Sequence, residues 1–193
     1  MKWALILVDV IRDFFHPEGV NYHPEYEKVL MAIRRVLAIA RQAGWTIIHV
    51  RETHPIHHNQ DFEFEKLPVH CLEGSAAVEW ADGIEVLPGE HVLQKRRYSA
   101  FFETDLNLLL REKAIDQVVV VGVKTNVCVR ATVQDAFGWG YRPVVIREAV
   151  GSNYVHLHEA SLEDINRYMG IVQSLDQFER WVLSLEGEIH REV

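Results

Sequence analysis

The sequence predicts an α/β protein in which a mostly parallel sheet is sandwiched between helices. Short apolar runs alternate with segments of helical periodicity along the chain. The runs "WALILVD" (3–9) and "QVVVVGV" (117–123) are nearly continuous in apolar residues, as in strands covered on both faces. The alternation is too regular for separate α and β domains, so right-handed strand–helix–strand winding is expected.

In chain order, residues 3–9 read as the first strand. A helix follows near 25–43, because Val29, Leu30, Ile33, Val36, Leu37 and Ala40 share one face at a 3.6-residue period. Gly44 closes it, and "WTIIHV" (45–50) is the next strand. Residues 51–75 form a long polar connection rich in histidine. "HVLQK" (91–95) reads as a strand and 104–113 as a helix capped by Thr104. Then come "QVVVVGV", a helix over about 127–138, "RPVVIRE", a helix around 157–169, "GIVQS", and a last helix through Trp181.

The totals bound what such a chain does. Its 193 residues suit one domain, 1–193, with a sizeable core. At 48% hydrophobic and 25% charged residues the chain is of ordinary globular composition, which excludes disorder. A formal net charge of -8 argues against nucleic acid as a partner. No apolar run is long enough to span a membrane. The opening "MKWALILVDV" meets Asp9 too early and lacks a small-residue cleavage site, so it reads as a strand and not a signal peptide. Two cysteines, Cys71 and Cys128, do not make a secreted disulfide framework. The expected compartment is the cytoplasm, with both thiols reduced.

In an open α/β sheet, ligands sit beyond the carboxyl ends of the strands. Three reactive side chains fall there: Asp9 after the first strand, Lys95 at the end of "HVLQK", and Cys128 just past "QVVVVGV". Singly, each has an ordinary structural explanation as a turn residue, a solvated amine or a small buried side chain. Jointly they supply what thiol catalysis needs. A helix N-terminus and a nearby ammonium lower a thiol pKa. A carboxylate can carry the proton to a leaving amine. Backbone N–H groups around 124–128 can hold an oxyanion.

The segments "LVDVIRDFF", "QKRRYSAF" and "GVKTNVCVRATVQDAFGWGY" resemble, in order, the signature segments of the isochorismatase-like cysteine hydrolases. The resemblance runs from about residue 4 to 175. It implies a six-stranded parallel sheet in a three-layer fold and a catalytic triad of Asp9, Lys95 and Cys128. It also implies a cis peptide at Val123–Lys124 and an oxyanion hole from the backbone amides of Lys124 and Cys128. Ile11 stands where the family often has glutamine, outside the triad. The presence of Cys128 favours amide over vinyl-ether cleavage.

Five of the 11 histidines lie between 49 and 70. His49 reads as core, and His57 and His58 as a solvated loop. Glu52, His54 and His70 could together hold a divalent metal, Zn²⁺ foremost. This arrangement, with "PVHC" (68–71) and "YSAF" (98–101), resembles nicotinamidases, whose metal orients the substrate's ring nitrogen; those enzymes carry Asp where this chain has Glu52. Asn126 instead resembles relatives that cleave ureido compounds, so a metal-free carbamoyl amidase is the competing expectation, and a non-catalytic binding member a third. Phe14, Tyr98 and Phe101, with Asn126, are the candidate substrate contacts. The expected partner is a small amide, with no organic cofactor. A homodimer or homotetramer is expected, for which Trp139, Tyr141 and Tyr154 are candidate surface aromatics.

Overall fold

A computed structural model describes residues 2–56 and 61–189. Six strands form one all-parallel sheet: β1 (Trp3–Val8), β2 (Thr46–Glu52), β3 (His91–Lys95), β4 (Gln117–Val123), β5 (Arg142–Gly151) and β6 (Ile171–Gln173), in the order β3-β2-β1-β4-β5-β6. The helices are a single turn α1 (Arg12–Phe15), then α2 (Tyr26–Gln42), α3 (Leu106–Glu112), α4 (Arg130–Gly138), α5 (Val155–Tyr168) and α6 (Leu175–Ile189). Among the described residues, no helix is long and apolar enough to cross a membrane.

The unbroken apolar strands are explained by two cores, one on each sheet face. Leu5 and Leu7 of β1 pack with Val119 and Val121 of β4 against α2 and α6, through side chains such as Ile33, Leu37 and Phe178. Ala4, Ile6 and Val8 pack with Val118 and Val120 on the other face, against Leu110, Val133 and Ile165 of α3, α4 and α5. The apolar β1 side chains from Ala4 to Val8 are completely buried. Burying a leucine or isoleucine contributes about 1.5–3 kcal/mol.

The apolar face of α2 is buried as its periodicity predicts. The helix stops where Gly44 takes φ +68, and Trp45 N–H donates to Ala40 O at 3.0 Å, a glycine C-cap. Gly122 answers a tighter demand. Its φ is +120, and a Cβ there would overlap the Val8 carbonyl of the neighbouring strand. The β4–β5 register shifts at the same place, between Val120 and Gly122.

Some elements differ from the sequence expectation. The helix expected from 104 begins at Leu106, though the Thr104 hydroxyl still accepts its N–H at 3.2 Å. The segment expected as a helix from 127 opens with a wide turn, Thr125–Val129, in which Lys124 O accepts from both Val127 and Val129 N–H. The 51–75 connection contains a 3-10 turn at Phe62–Glu65 and a bridge between His54 and Leu72. His57 and His58 lie outside the described residues. Tyr141 corrects the surface-aromatic expectation: it is 5% exposed, and its hydroxyl donates to Asn107 Oδ1 at 2.8 Å. Trp139 and Tyr154 are exposed.

Candidate active site

Chain order sends β2 and β3 to one side of β1, and β4 onward to the other, so the winding reverses between β1 and β4. That is where an open sheet leaves a crevice. Asp9 leaves β1 with φ +56, a left-handed conformation that aspartate tolerates better than most residues. Lys95 ends β3 in register with Glu52 of β2. Cys128 sits in the turn beyond β4, after a cis Val123–Lys124 peptide.

The three strand-end residues meet. Lys95 Nζ is 2.8 Å from Asp9 Oδ2 and 3.5 Å from Cys128 Sγ. Asp9 Oδ1 accepts the Glu52 backbone N–H at 2.7 Å. A carboxylate oxygen from each of Asp9 and Glu52 and the sulfur of Cys128 all lie within 4.8 Å of one another. Asp9, Lys95 and Cys128 are buried, Cys128 showing 4% exposure.

Burial sets the protonation states. It pushes the Asp9 carboxyl up, against the pull of Lys95, to about 6. For Lys95, burial favours the neutral amine, but Asp9, Cys128 and Glu52 together hold its pKa well above the ordinary range. Cys128 corrects the expectation of a lowered thiol pKa. Burial raises it, Lys95 opposes, and the Asp9 and Glu52 carboxylates add to the rise, so the thiol keeps its proton at rest. Burial is the main cause, and the one nearby ammonium, shared with two carboxylates, does not offset it. Cys71 is also a free, completely buried thiol, and burial raises its pKa too.

Beside this triad lies a second cluster. One ligand atom each from Glu52, His54, Glu63 and His70 fall within 4.8 Å of one another, and all four residues are buried. His54 Nε2 is 3.2 Å from Glu52 Oε1, while its Nδ1 is 3.1 Å from Asp61 Oδ2. His70 Nε2 is 3.8 Å from both Glu52 Oε1 and Glu63 Oε1, while its Nδ1–H donates to Pro68 O at 2.7 Å. Each imidazole thus spends Nδ1 on an outer partner and turns Nε2 inward, as metal-ligating histidines do. Among the described residues, Glu63 Oε1 is buried with no hydrogen-bond partner. An orphaned carboxylate oxygen among two imidazoles and a second carboxylate fits a divalent cation of the Zn²⁺ type.

Glu63 was not legible in the sequence. In "DFEFE" (61–65) spacing does not choose among three acids; the fold does, because Asp61 caps the turn through Glu63 N–H and so fixes the direction of Glu63. The extra methylene of Glu52 lets it face both clusters, Oε1 toward the histidines and Oε2 3.7 Å from Lys95.

The candidate substrate contacts separate. Tyr98 is 40% exposed, and its hydroxyl pKa is raised to about 12 by burial and by Glu63, Cys128 and Glu52. Phe101 packs inward against Tyr141 with ring centroids 6.0 Å apart, so it serves the core. Phe14 is buried and lies beneath the Lys124 ammonium, 5.9 Å from the ring centroid. Asn126 accepts from the Ser152 hydroxyl at 2.7 Å, which ties the turn that carries Cys128 to the loop before α5. His49 is core, paired with Glu90 at 2.8 Å.

Comparison with known proteins fits this architecture. The maleamate amidohydrolase of Pseudomonas putida is 33% identical over 89% of this chain and 82% of its own length. The solved N-carbamoylsarcosine amidase of Thermoplasma acidophilum is 31% identical with a TM-score of 0.82, covering 91% of this chain and 98% of that one. The pyrazinamidase of Pyrococcus horikoshii, solved in complex with zinc, is 28% identical with a TM-score of 0.83, covering 90% and 99%. The isochorismatase domain model matches residues 3–177. The chain belongs to the isochorismatase domain family, among relatives that are amidohydrolases acting on C–N bonds.

Proposed function

We propose that this chain is a cysteine amidohydrolase that cleaves a small carboxamide to an acid and ammonia through a thioester. The observation that carries the reading is the Lys95 ammonium at the end of β3, within reach of both the Asp9 carboxylate beyond β1 and the Cys128 sulfur beyond β4.

Because the thiol is protonated at rest, proton transfer accompanies attack. As Cys128 Sγ bonds to the carbonyl carbon, its proton passes to Asp9. The backbone N–H groups of Lys124 and Cys128 hold the oxyanion. The C–N bond then breaks as Asp9 returns the proton to the nitrogen, and ammonia leaves. Water next gives a proton to Asp9 while its oxygen adds to the thioester carbon. The S–C bond breaks, and the proton returns to sulfur. A carboxyl titrating near 6 is suited to giving and taking a proton in turn near neutrality. Lys95 compensates the buried negative charge throughout. A divalent ion held by Glu52, His54, Glu63 and His70 would supply a Lewis-acid contact for an electron-pair donor on the substrate.

The metal-bearing, nicotinamidase-like form is preferred over a metal-free carbamoyl amidase. The latter rests on Asn126, whose amide oxygen is engaged by Ser152, and on the ending "HLHEASLEDINRYMGIVQSLDQF" (156–178), which resembles carbamoyl amidases; the former gains a fourth donor in Glu63. The test is ammonia release from a panel of nicotinamide and other small amides, with metal-loaded and chelator-treated protein. Cys128→Ala is expected to abolish release with the fold intact. Turnover near the unmutated level in that variant would sink the covalent mechanism.

A further inference from the structure

Consecutive side chains tether the turn that carries Cys128, and their chemistry differs. Lys124 Nζ donates to Asn21 Oδ1 at 3.0 Å, and Asn21 Nδ2 in turn donates to Asp13 Oδ2 at 2.8 Å. Asn126 Oδ1 accepts from the Ser152 hydroxyl. Between them, Thr125 Oγ1 lies 2.9 Å from His158 Nδ1 on α5. Thr125 is completely buried, and its backbone opens the turn.

The direction of the Thr125–His158 bond is fixed by its surroundings. Among the described residues, His158 is the one hydrogen-bond partner of the Thr125 hydroxyl. A buried hydroxyl with one partner keeps its O–H satisfied only by donating to it. Nδ1 is therefore the acceptor, and the imidazole carries its proton on Nε2, the nitrogen that lies 3.9 Å from Glu159 Oε1. Among the described residues, the charged groups acting on the ring are Glu159 of α5 and Arg147 of β5, which pair with each other at 2.7 Å. Burial is the largest influence and lowers the His158 pKa; Glu159 opposes it and Arg147 adds to it, so the ring is neutral at rest. Protonation places an N–H at Nδ1, facing Thr125. The bond must then run from nitrogen to oxygen, and the Thr125 O–H is left buried without an acceptor. Neither neighbouring tether contains a histidine, so neither changes over the same pH range.

We propose that His158 is a positioning residue for Cys128: in its neutral form it accepts the Thr125 hydroxyl and holds the turn in place, and on protonation it reverses that bond and releases the turn. The role rests on Cys128 being the nucleophile, since His158 acts only through the placement of that sulfur. Loosening the turn takes the sulfur away from Asp9, which receives its proton, and from Lys95, which balances the charge.

Iodoacetamide labelling of Cys128 reads this placement without a substrate. Rates are measured by mass spectrometry from about pH 7.5 to about pH 5, with Cys128→Ala as the blank. His158→Asn puts an amide oxygen in the place of Nδ1 and does not titrate. The ratio of parent to His158→Asn rates is expected to be close to unity at the upper pH and to fall about fivefold at the lower. Titration of Asp9 is common to both proteins and cancels in the ratio. Thr125→Val should label about fivefold more slowly than the parent at the upper pH, and Thr125→Ser restores the rate. A ratio that stays flat or rises on acidification would overturn the role, as would a Thr125→Val protein that labels like the parent. NMR of the imidazole nitrogens, assigned by the signal lost in His158→Asn, is expected to place the proton on Nε2; a neutral ring protonated on Nδ1 would also overturn it. Rapid labelling of the parent with a flat ratio discards His158 and keeps the nucleophile. A Cys128 that labels in no variant discards the nucleophile, and the proposal with it.

Discussion

Lys95→Met removes a completely buried ammonium while keeping most of the stem's volume. In the folded protein that ammonium lies 2.8 Å from Asp9 and 3.7 Å from Glu52. Its loss leaves two buried carboxylates with no cation between them. Breaking a buried pair by deleting one partner costs about 3–5 kcal/mol, a large share of the roughly 5–15 kcal/mol typical of a folded domain. Urea unfolding followed by tryptophan fluorescence reads the loss, since Trp3, Trp45 and Trp181 form one aromatic cluster. The midpoint is expected to fall by the equivalent of about 3 kcal/mol or more. Adding Asp9→Asn to Lys95→Met should recover at least about 1 kcal/mol, because it removes one of the stranded charges. A Lys95→Met protein within about 0.5 kcal/mol of the parent, or a double variant less stable than the single, would refute the claim that Lys95 balances these carboxylates.

Other perturbations test the frame and the second cluster. Glu90 accepts from Arg41 at 2.7 Å and from Leu87 N–H at 3.0 Å; despite partial burial these partners, with His49, hold its pKa at about 2 against an ordinary 4.5. A depressed carboxyl stabilises the fold in full above the unfolded value and loses that contribution as pH falls toward the folded one. The stability advantage of the parent over Glu90→Gln should therefore shrink by about 2 kcal/mol between pH 7 and pH 3; a pH-independent gap would contradict it. Gly122→Ala, which drives a Cβ onto the Val8 carbonyl, should cost more than about 3 kcal/mol. Gly140→Ala, with positive φ but open space, should cost about 1 kcal/mol, and equal losses would show that sterics are not the cause. Asp61→Asn removes a charge-assisted partner of His54 Nδ1 and should weaken Zn²⁺ affinity about 10–100-fold in chelator competition; unchanged affinity would place the metal elsewhere.

Sequence reading succeeded where physics acts locally. The apolar runs of β1 and β4, the buried face of α2 and the stop at Gly44 follow from period, propensity and turn chemistry over a few residues. Asp9, Lys95 and Cys128 were visible because strand ends can be counted along the chain. Their surroundings were not. Glu63 enters the cluster only because a 3-10 turn, capped by Asp61, aims it there. Phe101 and Tyr141 look like surface or pocket aromatics in sequence, yet they pack on each other in the core.

What the sequence by itself determined was the layered parallel sheet and the kinds of reactive group at its carboxyl edge. What only the tertiary structure decided was their charge state and company. The Cys128 thiol is pushed up first by burial, and the one ammonium from β3 does not offset it because two carboxylates, one just past β1 and one in β2, share that ammonium. Lys124 stands beside a neutral amide because Asp13 holds Asn21 in place. Electrostatic effects depend on distance and on exclusion of water, and residues up to 119 positions apart in the chain acquire both only when the strands lie side by side.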